Sequence, residues 1–133
     1  MGKIPMWQKA LGLAGIGFGL MSVLAGGSVV LSDGTARELA GEIIPAVVWF
    51  NFLTGPVYVL AGVAILLDHP TARMMSALLS AAILGVSAHL LWQIVIGTAF
   101  EMRTVAAMSL RLIFWTGAAV LLIRHAGHAR RSQ

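Results

Sequence analysis

The chain has 133 residues, of which 59% are hydrophobic and 11% are charged, and its formal net charge is +4. Soluble domains carry about 25% charged residues, so this composition excludes an ordinary soluble domain and indicates one integral membrane domain over residues 1–133. The sequence has no cysteine, which excludes disulfides, thiolate metal sites and thiol catalysis.

Four apolar stretches are long enough to cross a bilayer, since a helical span needs about 20 mostly apolar residues. They cover residues 10–31, 43–67, 72–97 and 104–123. Short connections between them favour an all-α, up-down-up-down four-helix bundle. Lys3 and Lys9 precede the first stretch as in a signal peptide, but its apolar run exceeds the roughly 7 to 15 residues typical of that class. We therefore expect this helix to be retained, and we expect a frayed basic tail after Ile123.

The distribution of charged residues predicts the orientation of the bundle. Basic residues lie before the first span, in the second loop and after the last span, whereas the first loop carries Asp33, Glu38 and Glu42 beside one arginine. By the positive-inside rule, both termini are cytoplasmic. The first loop and the turn at Glu101 and Arg103 then share the outer face. Topology and anionic lipid explain the basic excess better than nucleic acid does.

The first span is rich in small residues. The pairs Gly15/Gly19 and Ser22/Gly26 fit the small-xxx-small pattern, which lets helix backbones approach closely in lipid. This pattern predicts a helix built for close packing. The partner helix lies either within the bundle or in another subunit.

Asn51, His89 and Arg111 share one predicted depth, on three different spans. Each lies seven or eight positions from the outer end of its span, which is about 10 to 12 Å of helix. Gln93 follows His89 by four positions, so it lies on the same helix face. A charged side chain at the bilayer centre costs at least ~2.5 to 3.5 kcal/mol and usually faces the bundle interior. These residues therefore predict a polar layer in the outer leaflet.

Two interpretations of this layer remain open. In the first, its members bond one another and nearby carbonyls, because polar groups in lipid need internal partners. In the second, the layer lines a pocket that opens outward past Glu42, Glu101 and Arg103. There Arg111 would bind an anionic or carbonyl-bearing ligand, and His89 would donate or accept a proton.

Familiar catalytic and cofactor patterns are missing from the sequence. Only His89 lies well inside a span, so one chain does not supply two histidine ligands to a haem. The sequence has no P-loop and no dinucleotide fingerprint, and its remaining histidines suggest no metal site. We therefore expect a non-catalytic protein without a metal or a bound cofactor. A redox subunit that binds haem or quinone is the third alternative.

The strings W-F-N-F-L at residues 49–53 and E-M-R-T-V at residues 101–105 carry a resemblance that covers most of the last three spans. The chain resembles a group of short four-helix bacterial inner-membrane proteins of uncharacterised function. The resemblance implies a bacterial inner-membrane location, and it transfers no activity. The residues that match its pattern include Asn51, His89, Glu101, Arg103 and Arg111.

The favoured functional hypothesis is a small accessory or assembly subunit of a larger membrane complex, or a homo-oligomer. It follows from the short extramembrane segments and the small-residue helix face. The expected partners are the lipid bilayer and other membrane subunits or further copies of this chain. The alternative is a small-molecule binding or transport protein with an outward-facing polar pocket.

Overall fold

The computed structural model describes residues 2–32 and 34–133. These residues form helices and no strand, in the order α1 (Met6–Val30), α2 (Thr35–Leu39), α3 (Pro45–Leu66), α4 (Thr71–Val95) and α5 (Met102–Arg131). Helices α1, α3, α4 and α5 are each long and apolar enough to cross a membrane. The prediction of an all-α chain with four apolar helices compatible with membrane insertion is confirmed.

Two parts of the helical structure differ from the predicted boundaries. The prediction of a frayed tail after Ile123 is wrong, because α5 continues to Arg131. Alanine and arginine favour this extension, and the His125 ring meets Trp7 of α1 edge-on at a centroid distance of 5.5 Å. The short helix α2 lies within the first loop, where the sequence predicted only a connection.

Helices α1 and α3 approach each other at the level of their backbones. A Cβ atom built on Gly19 would lie 2.6 Å from the carbonyl oxygen of Gly55 and 2.7 Å from the amide nitrogen of Val59. One built on Gly62 would lie 2.6 Å from the carbonyl oxygen of Gly12. Only glycine fits at these positions, because any side chain would overlap the facing helix. The small-residue face of α1, which includes Gly15, Gly19, Ser22 and Gly26, is therefore buried within this chain.

Helix α5 meets α1 through long side chains. The fully buried Trp115 stacks on Tyr58 of α3 with ring centroids 5.3 Å apart, and its ring also approaches Gly15. Phe114 packs against Phe18 of α1 at a centroid distance of 4.8 Å. Aromatic rings thus separate α5 from α1, whereas the backbones of α1 and α3 meet directly at several glycines.

Helix α4 packs against α3 and α5 on the other side of the bundle. Its buried apolar residues are Ala72, Leu79, Ile83 and Leu90. The hydroxyl oxygens of Ser80 and Thr116 are 2.6 Å apart and join α4 to α5. The opposite face of α4 has no partner helix among the described residues.

Replacing Gly19 by alanine tests the backbone contact. The added methyl group must displace the backbone of α3, so we expect Gly19→Ala to lower the free energy of unfolding by about 1 to 3 kcal/mol. Gly117→Ala is the matched control, because a Cβ atom there meets nothing within 4 Å. Unfolding in detergent micelles, followed by circular dichroism, measures both. Equal stability of the two variants would contradict the close contact.

Candidate functional site

A rim of three residues borders one end of the bundle: Glu42, Glu101 and Arg103. The Glu101 carboxylate accepts a hydrogen bond from the Glu42 amide at 3.1 Å, and the Arg103 guanidinium donates to the carbonyl oxygen of Leu39 at 3.0 Å. The start of α5 therefore holds the loop that contains α2. Gly41 has a positive φ of 70°, and a Cβ atom there would overlap the Glu101 carboxylate.

A cavity of ≈ 220 Å³ lies below this rim, between α1, α3 and α5. It combines an apolar wall with several polar side chains that converge from the three helices. The polar residues are Ser22 from α1, Asn51 from α3, and Glu101, Arg103, Thr104 and Arg111 from the N-cap and the first three turns of α5. The structure thus brings Asn51 and Arg111 together, with the predicted mouth residues Glu101 and Arg103 above them.

Arg111 occupies the inner part of this cavity with few bonds. One of its terminal nitrogens, Nη2, donates to the Ser22 hydroxyl at 3.1 Å. Its Nε–H is buried and has no hydrogen-bond partner among the described residues. The side-chain oxygen of Asn51 is likewise buried without a partner. Both atoms lie beside the cavity but are covered by neighbouring atoms, so a ligand or water bonds to them only after a small shift of the surrounding side chains.

Two aromatic residues extend this polar region deeper into the bundle. The Tyr58 hydroxyl and the Trp115 indole nitrogen are buried, and neither has a hydrogen-bond partner in the described part of the chain. Tyr58 follows Asn51 by seven positions, and Trp115 follows Arg111 by four, so each pair shares a helix face. The sequence prediction of the polar layer did not include Tyr58, although its spacing from Asn51 could have indicated that it shares the same helix face. Ser22 was assigned to packing alone, although it also bonds the guanidinium.

His89 and Gln93 lie away from the cavity. His89 is exposed on α4, and its Nε2 atom is 3.4 Å from the Nε2 atom of Gln93. Gln93 also accepts a hydrogen bond from the Thr98 hydroxyl at 2.8 Å. Equal depth did not bring the three polar residues together, because the rotation of α4 turns His89 outward. A proton-transfer role for His89 beside Arg111 therefore has no support in this geometry.

The opposite end of the bundle has a polar contact that sequence reasoning missed. Gln8 is buried, and its side-chain amide donates to the carbonyl oxygen of Ile65 at 3.0 Å and to the Asp68 carboxylate at 2.8 Å. This contact ties the start of α1 to the turn after α3.

Of the acidic residues predicted at the outer face, Asp33 lies outside the described residues.

Comparison of the chain with family models, curated proteins and solved structures found no match. The resemblance to four-helix inner-membrane proteins therefore stays a prediction.

Within residues 2–32 and 34–133, no group of three or more histidine, aspartate or glutamate residues could hold a metal ion. The polar groups that line the cavity are two guanidinium groups, one amide, two hydroxyl groups and the Glu101 carboxylate at the rim. This set of groups suits binding of an anion or a carbonyl group.

Removing the Glu101 carboxylate tests whether its hydrogen bond to the Glu42 amide holds the first loop against the start of α5. We expect Glu101→Ala to raise amide hydrogen exchange across residues 35–43 by roughly 2- to 10-fold, the worth of one hydrogen bond. Glu101→Gln retains an acceptor oxygen and should exchange nearly as slowly as the unmodified protein. Glu38→Ala, at an exposed position on α2, is the control. Unchanged exchange in Glu101→Ala would show that the loop is held by other contacts.

Proposed function

We propose that this protein is a membrane-embedded binding protein for a small anionic molecule, which Arg111 recognises at the inner end of the cavity. The observation that carries the proposal is the guanidinium itself. It lies within a candidate membrane span and lines the cavity, and its side-chain hydrogen bond within the described chain goes to a neutral hydroxyl, that of Ser22. A carboxylate or phosphate group is the partner that fits its planar donor fork.

The size and lining of the cavity limit the ligand. At ≈ 220 Å³ the cavity is smaller than the pockets of about 300 Å³ or more that hold drug-sized molecules. It therefore suits a short carboxylate, a phosphate or one acidic headgroup. The Asn51 amide offers a second polar contact, while Val47 and Ala107 are among the apolar residues that border the site.

The proposal includes an orientation. We propose an up-down-up-down bundle in a bacterial inner membrane with both termini in the cytoplasm, which the basic residues near the termini support. In that orientation the rim faces outward. A water-soluble ligand would then enter past Glu101 and Arg103, whose side chains also hold the α2 loop.

Titration with butyrate tests the binding function. We expect a saturable shift of the Arg111 Nε–H and Asn51 amide resonances in NMR spectra of isotopically labelled protein in micelles. Arg111→Lys should remain folded and bind butyrate about tenfold more weakly, because lysine lacks the fork. Arg124→Lys makes the same change at an exposed site and should bind normally. No saturable shift in the unmodified protein would overturn the proposal, and equal binding by Arg111→Lys would exclude recognition by the fork.

A second candidate function is a non-catalytic accessory or assembly subunit, or a homo-oligomer. The observation that favours it is the outward face of α4, where His89 is exposed and Trp92 is 62% exposed within a candidate membrane span. A polar side chain that faces lipid gains stability when another membrane helix supplies a hydrogen-bond partner. Gly85 on the same face would let such a helix approach closely.

Native mass spectrometry of the protein extracted gently from its membranes tests this second function. We expect a complex with another polypeptide or with a second copy, and we expect His89→Leu to weaken it roughly threefold to tenfold. His128→Leu, at the exposed end of α5, should leave the complex intact. A monomer in every sample, or a complex that is as abundant in His89→Leu as in His128→Leu, would exclude association through this face.

A further inference from the structure

A second opening reaches Arg111 from the side of the bundle. This lateral groove has a volume of ≈ 350 Å³ and lies between α1 and α5. Its lining consists of Arg111 together with Ala14, Gly17, Phe18, Met21, Ala107 and Leu110. Arg111 and Ala107 also line the cavity below the rim, so the guanidinium lies where the two openings meet.

The groove faces the surroundings of the bundle. Met21 is 70% exposed and Leu110 is 56% exposed, although both lie within candidate membrane spans. The α1 residues of the lining recur at positions 14, 17, 18 and 21, which places them on one helix face over about 10 Å. An apolar groove at this depth is open to lipid chains.

Gly17 contributes to the depth of the groove. Most of the α1 glycines contact α3, but a Cβ atom built on Gly17 meets nothing within 4 Å. Packing against another helix therefore does not require glycine here. A glycine inside a helix costs roughly 0.5 to 1 kcal/mol relative to alanine, and the groove gives this residue a role.

From this geometry we infer that the ligand of Arg111 is an acidic single-chain amphiphile drawn from the bilayer, with its carboxylate at the guanidinium and its acyl chain in the lateral groove. This inference rests on the proposed function and names its ligand class. Charge complementarity carries it, because Arg111 is the one charged residue that lines the groove and its side-chain hydrogen bond within the described chain goes to a neutral hydroxyl, that of Ser22. The remaining lining is apolar, which matches an acyl chain.

Photolabelling in nanodiscs of zwitterionic lipid tests the inference. The probe is a long-chain fatty acid with a diazirine group in its acyl chain. We expect labels on Phe18, Met21 or Leu110, and excess laurate should compete for them. Gly17→Leu fills the groove and should reduce this labelling about fivefold or more. Gly117→Leu adds the same side chain at an open position outside the groove and should label normally.

The butyrate titration distinguishes failure of the amphiphile inference from failure of the proposed anion-binding function. Butyrate has too short a chain to depend on the groove, so Gly17→Leu should still show the Arg111 shift with butyrate. A butyrate shift without fatty-acid labels in the groove would overturn the amphiphile and leave a water-soluble anion as the ligand. Labels that persist in Gly17→Leu would also overturn it. Absence of both the shift and the labels would overturn the proposed function as well.

Discussion

The backbone contact between α1 and α3 determines where the rest of the structure has space. Gly12, Gly19, Gly55 and Gly62 let these two helices meet without intervening side chains. Helix α5 has no comparable contact with α1, because the Trp115 ring lies between α5 and both α1 and α3. The unequal spacing of the helices leaves a cavity above the stacked rings of Tyr58 and Trp115 and leaves the lateral groove beside that cavity. Both spaces follow from which helix faces carry glycine and which carry aromatic residues.

Arg111 is tolerated in this apolar surrounding because it lies at the edge of those spaces. The Ser22 hydroxyl accepts one hydrogen bond, and the cavity below the rim gives the guanidinium a polar environment. Full burial of the cation would cost far more, since lipid offers no compensating dipoles. The same openness that lowers this cost also makes the guanidinium accessible to a ligand. Stability and binding therefore depend on one arrangement.

The sequence predicted the parts of the structure that depend on composition along one helix. Apolar runs located the four long helices, and the glycine spacing on α1 indicated close packing. Counting along spans also gave Asn51 and Arg111 a common depth. The position of a residue along its helix does not determine which way the side chain faces, however. His89 faces away from Asn51 and Arg111 because of the rotation of α4 about its own axis. The rotation of a helix depends on its contacts with other helices, such as that of Ser80 with Thr116. The sequence of one span does not reveal these contacts. The α2 helix was missed because five residues are too few for a periodic pattern.

The two candidate functions use different sides of the bundle. No residue of α4 lines the cavity or the lateral groove, and the exposed His89 lies on α4. A partner helix on α4 would leave both openings to Arg111 uncovered. It would still act on the helix that carries Arg111, because α4 packs along α5 and bonds it through Ser80 and Thr116. An associated subunit and an acidic ligand are therefore compatible in one molecule, and α5 is the element that lies between the two proposed sites.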